Sequence, residues 1–531
     1  MSNKIFCASL EGTQTKIVEI EGAFSRGLPS FSITGLATSS IQESKQRVQS
    51  ALANCNFTLP PLKITINLAP SDIAKSGSYF DLPIALVLRA DSRRDINDES
   101  TQQSRADSKN PAQESAFNGW FAFGELGLDG DIKYTQSMYP LLFDIALTHK
   151  GANVIVPESA RDILEVIPNL HLHFATNLKD AIEILTSPLP KQKEHNNKSL
   201  DLGFKHFIIN GERYFYTTEF EKDFSEVKHQ ELAKRAALIA AAGFHNIIFE
   251  GSAGCGKSMI ATRTRYILPP TSLSEMMQNF KLQSLNAQDS LYTPLRPFRN
   301  PHQSASKASI LGSATQYEPK PGEIALAHNG ILFFDELPHF KRDILESLRE
   351  PLENNKMAIS RVHSKLEYDT SFLFIGAQNP CPCGNLLSQS KECRCQDKDI
   401  VVYKNRLSEP FLDRIDMFVQ MNETFSSEDS KAQECLNTKQ MQELVFNAFK
   451  FAKERGQQHF NGKLSEREIM QYCVLNEQAQ SLLAQASQRF GLSQRAQDKL
   501  KKVARTIADL DASAIINKTH LLQALSYRKM W

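Results

Sequence analysis

The stretch Gly251-Ser252-Ala253-Gly254-Cys255-Gly256-Lys257-Ser258 has the residue types and spacing of a phosphate cradle. Glycines at 251, 254 and 256 permit backbone conformations in which successive N–H groups converge on phosphate oxygens. A helix opening near Lys257 would add its positive N-terminal end. Lys257 then reaches the β- and γ-phosphates, and the Ser258 hydroxyl becomes a ligand for Mg²⁺. Downstream, "GILFFDELPHF" (330–340) runs from an apolar strand into Asp335 and Glu336. Asp335 would hold Mg²⁺ through water, and Glu336 would polarise the attacking water as general base. Acids often end strands, so this pair is a weak signal alone. Joined to the glycine-rich turn, it predicts an NTPase.

Further candidates follow along the chain. "FLFIGAQNP" (372–380) ends in Asn379, placed to orient the attacking water beside Glu336. "LSEPFLDRIDMFVQM" (407–421) puts Asp413 and Arg414 just before an apolar run. An arginine there faces the neighbouring subunit's nucleotide and neutralises transition-state charge in trans; a surface salt bridge with Asp413 or Asp416 is the plain alternative. Arg495, in "GLSQRAQDKLKKVARTIADL" (491–510), lies on a predicted helix and would close over the γ-phosphate. Arg505 on the same helix competes for that role, and an ordinary solvated arginine is a third reading. Between Asn379 and Arg414 stand Cys381, Cys383, Cys393 and Cys395, as two Cys-x-Cys pairs. They could hold one Zn²⁺ tetrahedrally and fold a loop too polar to hold itself. The tight Cys-x-Cys spacing leaves reduced, unmetallated thiols and a redox sensor as alternatives. On each reading the loop joins two catalytic elements.

These residues need a scaffold. From about 222 to 424 helices alternate with short apolar strands, the pattern of a parallel sheet carrying a P-loop ATPase core. Residues 425–531 are polar and helix-prone, predicting a small helical C-terminal lid. Residues 1–187 read as a separate mixed α/β unit: "KITINLAP" (63–70) alternates like a half-buried strand, and "SSIQESKQRVQSALANC" (39–55) has helical spacing. Within it, 91–116 lacks large apolar residues and reads as a disordered insertion. A polar break at 188–203 opens an interdomain linker assigned to 188–221.

The chain has 531 residues, enough for about three domains. Its 41% hydrophobic and 23% charged residues are those of a globular chain, and a net charge of +1 means that any basic surface must be local. The N-terminus lacks the apolar core of a signal peptide, and no run approaches the ~20 residues that span a bilayer. An odd count of 9 cysteines fits reduced thiols and a cytoplasmic location better than a disulfide framework.

Taken together, "DFSEVKHQELAKRAALIAAAGFHNIIFEGSAGCGKS" (223–258), "RPFRNPHQSASKASILGS" (296–313), "PGEIALAHNGILFFDELPHF" (321–340), "QNPCPCG" (378–384), "LDRID" (412–416) and "SQRAQDKLKKVARTIADL" (493–510) resemble the magnesium-chelatase-like branch of the AAA+ ATPases, and within it the ComM/YifB family. The resemblance extends to "GLPSFSITGLATSSIQESKQRVQSAL" (27–52) and "INLAPSDIAKSGSYFDLPIAL" (66–86). It implies ATP and Mg²⁺ as cofactors, Asn379 as sensor 1, Arg414 as arginine finger and Arg495 as sensor 2. It also implies an N-terminal fold similar to the ribosomal S5 domain 2-like proteins, the group that contains Lon-type proteases. Lys75, Ser76 and Ser78 are present there, but "KSGSYFDLP" lacks the small Ser-Ala-Gly turn that exposes such a nucleophile, so a non-catalytic domain is expected. Departures are few. "GSAGCGKS" stands where the family more often has Pro-Pro and Thr, Gln378 replaces a common Met, and nothing carries over onto 91–116.

The chain between Lys257 and Asp335 is longer than a βαβ crossover of about a dozen residues requires. The excess, about 270–325, fits the helix-2 insert of this branch and contains Arg296, Arg299, His302 and Lys307 with Tyr292 and Phe298 interleaved. "KMAISRVHSKLEYDTSFLF" (356–374) predicts a β-hairpin carrying Arg361, His363 and Lys365. In a ring such elements point into the pore, where basic and aromatic side chains would track a phosphate backbone and stack on bases; solvated loops packed on neighbours are the alternative. The expected function is a hexameric motor on single-stranded and branched DNA, promoting branch migration in recombination during natural transformation, with a recombinase among its partners. A motor that remodels a protein partner, as in magnesium chelatase, is the second reading. The N-terminal domain, normally absent from the chelatase motor, and the four-cysteine segment favour the first.

Overall fold

Residues 4–11, 14–73, 75–98, 119–186, 203–286, 292–314, 319–360, 365–388, 390–421 and 436–528 are described by a computed structural model of the chain. The alternation at 63–69 produces a strand that buries Ile64, Ile66 and Leu68 and leaves Lys63 exposed. It belongs to a mixed seven-stranded sheet in the order Ser30–Thr34, Lys63–Ala69, Gln14–Ser25, Lys4–Glu11, Trp120–Ala122, Ala152–Pro157, Leu170–Ala175. Helix Ser39–Asn54 packs beneath it through Ile41, Val48, Ala51 and Leu52. Lys75 is buried and its ammonium donates to the Pro70 carbonyl, while Ser78 donates to Glu125.

Two boundaries differ from the sequence reading. Helix Asp81–Asp98 runs into the segment read as disordered from 91, because its buried first half, Leu82 to Leu88, starts a helix that polar residues can extend. The remainder, 99–116, lies outside the described residues. The second part of the linker is an antiparallel hairpin, Lys205–Ile209 with Glu212–Tyr216, whose second strand pairs with Thr271–Ser272. Its aromatic residues account for this: Phe207 and Tyr216 both pack on Phe446 of the C-terminal helices.

The second sheet positions the candidate site. Its strands are β1 (Ile247–Gly251), β2 (Phe298–Arg299), β3 (Ile331–Phe334), β4 (Leu373–Gln378) and β5 (Met417–Met421). They lie in the order β2-β3-β4-β1-β5, and every neighbouring pair is parallel. Both faces of β3 and β4 are covered, so every residue of each is buried and neither sequence alternates. The edge strand β2 falls inside the range read as an insert. Helices α1 (Glu231–Gly243), α2 (Lys257–Thr264), α3 (Leu273–Ser284), α4 (Arg349–Asn354), α5 (Asp397–Lys404) and α6 (Gln494–Leu510) complete the working parts. The C-terminal region is helical, and α6 buries Leu500, Val503, Ala504, Ile507 and Ala508, the spacing of one helical face. The expected hairpin is present as Lys356–Ser360 paired with Lys365–Asp369.

Two residues read as nucleic-acid contacts have structural roles instead. Arg296 is 2% exposed; its guanidinium donates to the carbonyls of Pro269 (2.7 Å), Pro270 (2.8 Å) and Asn329 (2.8 Å) and to the Glu275 carboxylate (3.0 Å). It also lies beside the stacked pair Phe244 and Phe460, 5.4 and 5.6 Å from their ring centres. No face of the guanidinium remains for a phosphate. Tyr292 stacks on Phe280 of α3 at 4.5 Å, and its hydroxyl meets that of Tyr139 in the N-terminal unit, where Lys281 also pairs with Asp144 at 2.6 Å. The insert therefore docks the N-terminal unit onto the body built around the second sheet.

Arg296→Ala is expected to destabilise that body by about 3–5 kcal/mol, since it strands Glu275 and the carbonyls without donors. Urea denaturation checks this, with Arg296→Lys recovering only part of the loss. A pH effect is also expected. Burial pushes His245 and His328 down from 6.5 to about 4. The unfolded chain thus binds more protons between pH 4 and 6.5, so stability rises with pH through that window, by up to about 1.4 kcal/mol per pH unit per histidine. Thermal melts across the window should show that slope, and His328→Asn should reduce it.

Candidate active site and thiol cluster

The glycine-rich turn follows β1 and ends at α2. Gly254 and Gly256 adopt left-handed backbone angles, φ 82° and 96°. Gly251 serves differently: a side chain there would meet the Met421 carbonyl at 2.6 Å, so glycine is required for β1 to lie against the end of β5. The Lys257 ammonium donates to the carbonyls of Gly251 (2.6 Å) and Ser252 (2.8 Å) and to Asn379 Oδ1 (3.2 Å). Burial pulls its pKa below the ordinary lysine range, against the opposing pull of Cys255 and Asp335. Gln230 holds the Cys255 carbonyl at 3.2 Å. Ser252 is 2% exposed and its hydroxyl oxygen has no partner. That orphaned oxygen, in a turn with left-handed glycines beside Ala253 and a lysine at a helix N-terminus, fits a bound phosphate chain.

The second half of the site meets the first. Ser258 Oγ donates to Asp335 Oδ2 at 2.7 Å, bringing the two candidate Mg²⁺ ligands together. Glu336 follows in a left-handed conformation (φ 52°), and its N–H donates to Asp335 Oδ1 at 2.9 Å. Hydroxyl, carboxylate and water are the oxygen donors that Mg²⁺ takes.

Arg414 and Arg495 converge on a residue the sequence did not single out. Glu353, on α4, accepts from Arg414 at 2.5 Å and from Arg495 at 3.0 Å. The two arginines, Arg414 first, hold its carboxyl below the usual carboxylate range. The salt bridge considered for Arg414 with Asp413 or Asp416 does not form. Asp416 instead accepts from the Asn246 N–H (2.9 Å), and the Asn246 side chain links the Arg414 carbonyl (3.1 Å) to the Phe374 N–H (3.2 Å). Asn246 thus ties the arginine turn to β4, a role that a single asparagine before a strand does not announce in sequence. Arg505 is fully buried, bound to Asp509 and to the carbonyls of Ser513 and Ala514, which removes it as a competitor of Arg495.

Of the remaining basic candidates, Arg299 forms a two-pronged pair with Glu323 at 2.6 and 2.8 Å. Lys307 keeps a 54% exposed side chain, 3.8 Å from Asp343. Arg361 and His363 lie outside the described residues, as does the side chain of Lys365.

The four cysteines gather although the two pairs are separated in the chain. All four sulfurs lie within 4.8 Å of one another. Cys381 is 3.4 Å from Cys383 and 3.7 Å from Cys393, and Cys383 is 3.6 Å from Cys393. A tetrahedron with Zn–S bonds of ~2.3 Å has edges of about 3.8 Å, so the spacing fits such an ion. The backbone N–H groups of Asn385 and Arg394 pull the Cys383 thiol down to about 6. Cys395 accepts from the Cys383 N–H, yet desolvation and the neighbouring sulfurs push it up to about 12. Loss of the first proton therefore opposes loss of the next.

A P-loop at the end of β1, an acid pair at the end of β3 and a polar residue at the end of the strand between them define an ATPase of the AAA+ type. Three family descriptions divide the chain: "Subunit ChlI of Mg-chelatase" matches 20–160, "Magnesium chelatase, subunit ChlI" matches 223–429, and its C-terminal part matches 436–528. The chain is 33% identical to the competence protein ComM of Haemophilus influenzae, over 99% of this chain and 97% of that one. It is 34% identical to the uncharacterized protein YifB of Salmonella typhimurium, over 97% and 95%. The chain belongs to the ComM/YifB family of magnesium-chelatase-like AAA+ ATPases.

Glu336→Gln is expected to bind ATP normally and to lower its turnover by at least about 100-fold. A phosphate-release assay beside a fluorescent-nucleotide titration separates the two effects.

Proposed function

We propose that the chain works as an ATP-driven DNA motor, assembled into a hexameric ring that translocates on single-stranded and branched DNA. It promotes branch migration in recombination, natural transformation included, and meets a recombinase on the same DNA. The observation that carries this reading is the likeness, over 99% of the chain, to a relative named a competence protein.

The site residues take the following parts. Gly251, Ser252, Ala253, Gly254, Cys255 and Gly256 cradle the phosphates, and Lys257 turns from its carbonyl partners to the β- and γ-phosphates. Ser258 and Asp335 hold Mg²⁺, which neutralises charge on the transferring phosphoryl group. Glu336 polarises the attacking water and Asn379 orients it. Arg414 is assigned as arginine finger to the nucleotide of the adjoining subunit and Arg495 as sensor 2 over the γ-phosphate, and release from Glu353 frees the charge of each. Cys381, Cys383, Cys393 and Cys395 hold a structural Zn²⁺. Lys307, Arg361, His363 and Lys365 are assigned to DNA contact, with Arg299 available only when it leaves Glu323. The N-terminal unit is read as a non-catalytic domain similar to the S5 domain 2-like fold.

A second reading, a motor that remodels a protein partner, draws on the chelatase description under which all three segments match. The match at 20–160 means that the N-terminal region does not separate the two readings.

Strand displacement on forked and three-stranded DNA separates them. The DNA reading expects ATP-dependent displacement and stimulation of ATPase activity by DNA; ATPase activity unchanged by any DNA, with no displacement, refutes it. Arg414→Ala should lower turnover by about 10³-fold or more while nucleotide binding persists. Full activity of that variant would reject the trans assignment.

A further inference from the structure

The four-thiol loop leaves β4 at the catalytic edge of the sheet. Its first cysteine, Cys381, is fully buried and follows Asn379 by one intervening proline. Gly384, between the two cysteine pairs, faces the phosphate turn: a position one methyl group out from its backbone is 3.8 Å from the Ala253 nitrogen and 3.8 Å from the Asn379 carboxamide carbon. The loop then passes into α5, whose Tyr403 is buried with its hydroxyl against the Asn379 N–H. The Tyr403 ring also meets His339 edge-on at 6.1 Å, and Arg406 reaches the Pro338 carbonyl at 3.4 Å. His339 and Pro338 belong to the short helix that follows Glu336. The loop and the helix it enters thus meet the P-loop, the sensor residue and the segment after Glu336.

Among the described residues, apolar burial in that loop is slight beyond Cys381. Between Cys381 and α5 the described residues form neither helix nor strand, and Leu386 is exposed. A segment with so little apolar burial needs another source of stability, and a metal held by four thiolates supplies it. The sulfurs already sit at the edge lengths of a tetrathiolate tetrahedron, and all four cysteines are free rather than paired.

We propose that this loop is a metal-dependent brace for Asn379, which sets the rate of ATP hydrolysis through the position of that one side chain. Binding Zn²⁺ displaces the thiol protons and forms four Zn–S bonds, with no change of oxidation state. With the metal in place, the turn after β4 holds Asn379 against Lys257 and beside the water path to Glu336. Without it the P-loop still binds nucleotide, because Lys257, Ser258 and the glycine turn belong to β1 and α2, but Asn379 loses its fixed position and turnover falls. The four cysteines are positioning residues, and the inference rests on the ATPase reading of the site.

The test uses the full-length protein. Metal analysis after reducing, chelator-free purification should give one zinc per chain, and refolding with Co²⁺ should give the visible absorption of a tetrahedral cobalt thiolate. Zinc is then removed with phenanthroline, the chelator is removed by desalting, and Mg²⁺ is restored before assay; a thiol reagent is avoided because it would also reach Cys255. Turnover should fall about 10- to 100-fold, the scale on which a catalytic group is misplaced by about 1 Å. Affinity for a fluorescent ATP analogue should change less than about threefold, and added Zn²⁺ should restore turnover. Cys383→Ser and Cys393→Ser should reproduce the loss without rescue by Zn²⁺. Amide hydrogen exchange over 379–388 should rise on zinc removal while exchange in α1 stays unchanged. Absence of stoichiometric zinc overturns the proposal, and so does unchanged turnover after its removal. An intact protein that binds no nucleotide overturns the ATPase reading instead, and the exchange measurement then decides the brace on its own.

Discussion

The hydrogen bond from the Lys257 ammonium to the Asn379 carboxamide requires two strands that are far apart in the chain to end at one level. That condition is met by register: Glu250 of β1 pairs with Gln378 of β4, and Phe334 of β3 pairs with Gly376. With β4 inserted between β1 and β3, the phosphate turn, the sensor position and the acid pair open onto one crevice at the carboxyl ends of a parallel sheet. A slip of one residue in β4 would turn Asn379 to the opposite face and bring Gln378 in its place. The sheet's continuous apolar core holds that register, so the catalytic geometry depends on packing well away from any charged group.

A second layer of order is electrostatic. Glu353 gathers Arg414 from the turn before β5 and Arg495 from the C-terminal helix α6. Lys499, on that same helix, donates to the carbonyls of Asp413 and Ile415 on either side of Arg414. The C-terminal helices are therefore tied to the arginine turn twice, and Asn246 ties that turn to β4. Contacts thus join α6 to the arginine turn and, through Asn246, to the strand that carries Asn379. The thiol loop adds a third tie, from Asn379 to Tyr403 and the segment after Glu336. These links join segments far apart in the chain through short contacts at the ends of stiff elements.

Much of this was legible in the chain. The P-loop, the acid pair and the β-hairpin are written as local patterns, because each needs particular residue types within a few positions: glycine for left-handed angles, lysine at a helix start, acids after an apolar run. The helical C-terminal region follows from periodicity in the same way. Misreadings came where a residue's role is set by what lies across from it. Arg296 looked like an exposed cation among aromatic residues, yet the carbonyls at Pro269, Pro270 and Asn329 and the carboxylate of Glu275 enclose it. Tyr292 looked like a stacking platform for bases and is a contact with the N-terminal unit. Gly251 looked like a conformational glycine and is needed for close packing against Met421.

By itself, then, the sequence determined the candidate chemistry: a turn with the pattern of a phosphate cradle, an acid pair after an apolar strand, and four thiols in two tight pairs. Short-range stereochemistry governs those features, so they can be read a few residues at a time. Only the tertiary structure decided which arginines are structural staples and which carboxylate gathers Arg414 and Arg495. It also decided that the thiol pairs close into one cluster against Asn379 and the P-loop. Those outcomes depend on strand order and on contacts between segments distant in sequence, and desolvation at such contacts fixes whether a charged or sulfur side chain is structural or available for chemistry.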